Sequence, residues 1–96
     1  MNILEKAQEV THGDRQEDYG DPVVNHQRIV ELQAGLARAI KMGDPHLNWE
    51  TITALDMIMV KIARLIETPD HFDSWADIAG YAWVGSKCAG VKDESD

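Results

Sequence analysis

Apolar residues in this chain recur at three- and four-residue intervals and nowhere alternate strictly with polar ones. The pattern therefore predicts helices and no strand. Four helices are expected, packed as a compact all-α bundle over residues 1–90, with an acidic tail over 91–96. The first runs from about Ile3 to Val10, opened by Asn2 and Glu5 at capping-box spacing and stopped at Gly13. Asp21 followed by Pro22 starts the second, whose buried stripe is Ile29, Leu32, Leu36 and Ile40, ending near Lys41. Gly43-Asp44-Pro45 breaks the chain, and Asn48 caps a third helix reaching Glu67.

That third helix carries Ile52, Leu55, Ile58, Met59, Ile62, Leu65 and Ile66 over about half its circumference. Asp56, Lys61 and Arg64 fall on the other half, together with Met57 and Val60. A wholly solvated side would not carry those two, so the helix is expected to be covered on both sides, within the domain or by a second subunit. Thr68-Pro69-Asp70 ends it, and Asp70 is the expected cap of a fourth helix from Phe72 to Cys88. Its apolar face reads Trp75, Ala79, Ala82 and Trp83, widened by Ile78. The opposite stripe is Asp73, Asp77 and Tyr81, with Ser74 beside them. Gly80 and Gly85 cost helix propensity, so they point to close packing or to a ligand against the backbone.

Composition narrows the function. Nine basic residues face seventeen acidic ones, a net charge of −8, and such a surface repels a duplex nucleic-acid backbone. A small phosphorylated ligand needs only one Arg–Lys pair and stays open. Cys88 is the single cysteine, which excludes an internal disulfide and a cysteine-based zinc site. No run approaches the roughly 20 apolar residues of a membrane span, and the first residues lack the core of a signal peptide. The expectation is a cytoplasmic protein with no membrane partner. A domain this short is marginal as a monomer, and Trp49, Trp75, Trp83 and the two-sided third helix point to a homo-oligomer.

Three groups carry candidate chemistry. Asp73 and Asp77 stand one turn apart and suit a hard divalent cation such as Mg²⁺, with Asp56 as a third ligand; equally, Asp73 favours its helix N-terminus. Lys61 and Arg64 suit phosphate oxygens, or else neutralise Asp73, Asp77 or Asp56 across the helix pair. The polar run from Asp14 to Asp21, containing Arg15 and Tyr19, leads into Asn25 and His26. Tyr19 can stack on a ring and Asn25 can read a base edge. Alternatively, Asn25 and His26 tie down the loop before the second helix.

The ordered series Gly13-Asp14-Arg15, Asp18-Tyr19-Gly20, Asn25-His26, Lys61-Ile62-Ala63-Arg64 and Asp73-Ser74 through Asp77-Ile78-Ala79-Gly80-Tyr81 resembles a family of short phage and prophage proteins of unassigned function. A weaker similarity reaches phage nucleotide-modification-associated helical domains and the MazG-like all-α nucleoside triphosphate pyrophosphohydrolases. The resemblance implies a MazG-like architecture, a nucleotide ligand and the cytoplasm of a bacterial host. The chain departs from the MazG-like pattern: the Glu-Glu-x-x-Glu motif is missing, and only Glu5 and Glu9 stand on the first helix.

Three readings follow. In the first, the protein is a nucleotide-binding domain and Mg²⁺-dependent hydrolase. Asp73 and Asp77 hold the metal with Asp56 or Glu9, while Lys61 and Arg64 take the phosphates. His26 is the general base, acting with Asp77, or else helps to recognise the nucleobase, and Arg15, Tyr19, Asn25 and Tyr81 shape the pocket. In the second, a non-catalytic oligomer sequesters a nucleotide signal of host defence. In the third, a structural module uses these polar groups only to cross-brace its helices.

Overall fold

A computed structural model of the chain describes residues 2–3 and 20–92. Beyond Ile3, the expected first helix lies outside the described residues, as does the polar run up to Tyr19. Three long helices make up the rest: α1 (Pro22–Ile40), α2 (Trp49–Glu67) and α3 (Phe72–Cys88). Among the described residues there is no strand, so the all-helical class stands.

Local signals set these boundaries. Asp21 is extended, and its carboxylate accepts the Val23 amide at 2.8 Å just ahead of Pro22. Asn48 does the same for α2, its Oδ1 accepting from the Thr51 amide at 2.8 Å and from the Thr51 hydroxyl at 2.7 Å. The amide nitrogen of Asn48 also donates to the Cys88 carbonyl at 2.8 Å, which ties the start of α2 to the end of α3.

The cap of α3 differs from expectation. His71, not Asp70, occupies the position, with its ring Nδ1 accepting from the Ser74 amide at 3.3 Å and lying 2.7 Å from the Ser74 hydroxyl. The reason lies in the turn before it. The His71 amide donates to the Thr68 carbonyl, which puts Asp70 inside the turn and brings His71 to the helix entrance. Trp75 closes the same corner, its indole N–H donating to the Pro69 carbonyl at 2.9 Å.

α2 is the centre of the fold. Both α1 and α3 pack on it and not on each other. This accounts for the apolar residues on both of its sides, as expected, with the covers belonging to the same chain. Small residues admit each neighbour: Ala54 (4% exposed) faces α3, and Ala63 (fully buried) stands one turn before Glu67, which binds Arg28 of α1. Helices meeting over alanines can approach closely.

The orientation of α3 overturns its apparent amphipathicity. Trp75, Ala79, Ala82 and Trp83, the apolar face of the sequence pattern, are all exposed. The arc turned to α2 is instead Ser74, Ile78, Tyr81, Gly85 and Cys88, with Ser74 wholly buried. A Cβ placed on Gly85 would stand 3.1 Å from the Ala54 Cβ. Close approach here depends on a missing side chain, and the bulky tryptophans cannot provide it.

Candidate functional site

The C-terminal half of α2 carries the two cations. Lys61 and Arg64, three residues apart, lie about 60° apart around the helix. Lys61 leans towards α3 and binds Asp77, Nζ to carboxylate, at 3.0 Å. Its side chain is mostly covered, whereas that of Asp77 is about half open. Arg64 is buried and already engaged in polar contact within the chain. This joins two of the expected site residues, Lys61 and Asp77, across the helix pair, with Arg64 one turn further along α2.

A second polar group is built where α1 begins. Asn25 lies on the α2-facing stripe of α1 and is only 5% exposed, with its Oδ1 buried and without a hydrogen-bond partner among the described residues. Three residues on, Arg28 donates to Glu67 of α2 at 2.7 Å, which locks the start of α1 against the end of α2. The segment entering α1 presses on the same carboxylate. Gly20 has a positive φ of 66°, and a Cβ there would stand 2.5 Å from Glu67 Oε1. Only glycine meets both conditions.

Other expected residues fall elsewhere. His26 is exposed, about 100° around α1 from Asn25, and its Nδ1 lies 2.9 Å from the Pro22 carbonyl of its own helix. It lines an open groove with Val23 and Val30 on the outward side of α1, away from the α2 cations. Asp73 is exposed one turn before Asp77, and Tyr81 is half-buried in the α2–α3 seam. Asp56 is half-buried about 140° around α2 from Lys61, on the side away from Asp77. Among the described residues, no three His, Cys, Asp or Glu side chains gather as a metal site. Arg15 and Tyr19 lie outside the described residues.

Three contributors had little signal in the sequence. Arg28 and Glu67 form a contact between helices that no local spacing encodes, although Arg28 follows Asn25 closely around α1. His71 is an uncommon cap, and only the Ser74 three residues later hints at it.

Among the described residues the chain is a small helical domain of three long helices, with charged side chains on the central one. The chain belongs to the family described as "Domain of unknown function (DUF6378)", whose model matches residues 2–89. It is similar to the Gene 55 protein of Mycobacterium phage L5, 39% identical over 94 residues, which are 98% of this chain and 56% of that protein. It is also similar to the Gene 55 protein of Mycobacterium phage D29, 42% identical over 82 residues, 84% of this chain and 49% of the relative. The chain thus spans about half the length of these curated relatives. No solved structure matches it. The family resemblance read from the motif series therefore stands as one to phage proteins of unknown function.

Proposed function

We propose that this domain binds a small nucleotide at the polar end of the α1–α2 pair and holds it without turnover. The observation that carries the reading is Asn25: a buried amide whose Oδ1 lacks a partner among the described residues, at the same end of the helix pair as Arg64. A buried acceptor left unmade costs about 1–3 kcal/mol, so its persistence calls for a ligand donor. The exocyclic amino group of a nucleobase is such a donor. In this reading Arg64, and Lys61 if it leaves Asp77, supply positive charge from α2 for the phosphate. A MazG-like arrangement of helices, a homo-oligomeric state and a role in sequestering a defence signal belong to this reading as proposals.

Capture is favoured over hydrolysis by the Lys61–Asp77 ion pair. A carboxylate held 3.0 Å from an ammonium competes poorly for Mg²⁺. The Mg²⁺-dependent hydrolase remains the second reading, on the strength of Asp73 and Asp77 standing exposed one turn apart on α3.

The test is thermal denaturation of the purified protein with nucleoside mono-, di- and triphosphates and cyclic nucleotides, with and without Mg²⁺, followed by chromatography of the released ligand. A ligand at a hundredfold its Kd stabilises the fold by about 2.7 kcal/mol. The expected result is stabilisation with the ligand recovered intact. In Asn25→Leu protein that stabilisation is expected to vanish, while the apo protein melts no lower than wild type. Mg²⁺-dependent cleavage that Asp77→Asn abolishes would select the hydrolase. No stabilisation by any nucleotide would refute both.

A further inference from the structure

The outward face of α3 is an unusual surface for so charged a chain. From Phe72 to Trp83 it runs Phe72, Ala76, Ala79, Trp83, at steps of four, three and four residues, which is the spacing of a two-helix seam. Phe72 is 79% exposed and Trp83 62% exposed. The charges that flank it stand near its two ends, Asp73 in the first turn and Lys87 in the last. Nothing in the described chain covers the face, because α3 meets only α2, through the opposite arc.

We propose that this face binds the same face of a second copy, as an antiparallel α3–α3 pair about a twofold axis passing between Ala79 and Gly80. Charge selects the occupant and its direction. Two chains of net charge −8 repel in general, so a self-contact needs a neutral centre and complementary ends. Antiparallel pairing brings Asp73 beside the partner's Lys87 and repeats the contact by symmetry. Parallel pairing would oppose Asp73 to the partner's Asp73. Shape agrees with charge. In this register Trp83 lies over the partner's Ala76, and the helices cross at Ala79 and Gly80, where a Cβ on Gly80 meets nothing within 4 Å of its own chain. Lys87 already stands 5.7 Å from the Trp83 ring centroid, so the cation and the anchor are positioned together before association.

Sedimentation equilibrium of the full chain tests this. Wild type is expected to dimerise, and Trp83→Glu to be monomeric with unchanged helical circular dichroism, since the position is exposed in the subunit. Asp73→Lys and Lys87→Asp are each expected to weaken the dimer by about tenfold or more, and the double variant to restore it. Ala79→Cys in a Cys88→Ser background is expected to form an intermolecular disulfide under mild oxidation. A monomeric wild type, a dimer that survives Trp83→Glu, or a double variant no tighter than the singles would overturn the proposal.

Discussion

Replacing Gly85 by alanine sets two effects of opposite sign against each other. Alanine is about 1 kcal/mol better than glycine inside a helix, so substitution on an open helix face stabilises. At Gly85 the new methyl would stand 3.1 Å from the Ala54 Cβ, well inside the ordinary carbon–carbon separation of about 3.5–4.0 Å. Ala54 cannot easily withdraw, because α2 is held from its other side by α1. Overpacking of this kind costs about 1–3 kcal/mol. The clash is expected to win, giving a net loss of about 1 kcal/mol and a Tm lower by several degrees. Gly35→Ala is the control, since the nearest atom to its added methyl is the Arg38 guanidinium at 3.9 Å; it is expected to stabilise by about 0.5–1 kcal/mol. The double variant Gly85→Ala/Ala54→Gly moves one methyl across the seam and exchanges propensity between the helices, so it is expected near wild type. Urea denaturation followed by circular dichroism reads all three, at unchanged m. Equal stabilisation by Gly85→Ala and Gly35→Ala would refute the argument that α3 packs on α2 through this glycine.

Two further substitutions probe the joints. Asn48→Asp keeps the cap on α2 but loses the donor to the Cys88 carbonyl, and is expected to cost about 1 kcal/mol, whereas Asn48→Ala loses both and is expected to cost about twice that. Both are read by chemical denaturation; equal losses would show that the bond to α3 contributes nothing. Gly20→Ala is expected to lower Tm through its positive φ and its collision with Glu67, with a backbone term of about 1–2 kcal/mol. Removing the collision with Glu67→Ala should return only part of the loss, because the Arg28 ion pair goes with it; full recovery would mean that the backbone conformation costs nothing.

The sequence by itself determined the described helices and almost all of their ends. Asp21-Pro22, Asn48 and the Thr68-Pro69 break act through hydrogen bonds and ring sterics within four residues, so the identity of a few neighbours decides the outcome. Spacing also told that α2 has two covered sides. The sequence did not decide which arc of α3 meets α2, because apolarity and packing competence separate there. Trp75 and Trp83 carry the most apolar surface, yet Ser74 and Gly85 face the core, since a seam against Ala54 admits only small groups. Asn25 and His26 are adjacent in the chain, but 100° of helical turn buries one and exposes the other. Lys61 had several carboxylates to choose from, and only the placement of α3 against α2 brought Asp77 to it. Contacts between helices depend on distances that no local spacing encodes, and for that reason the tertiary structure alone decided them.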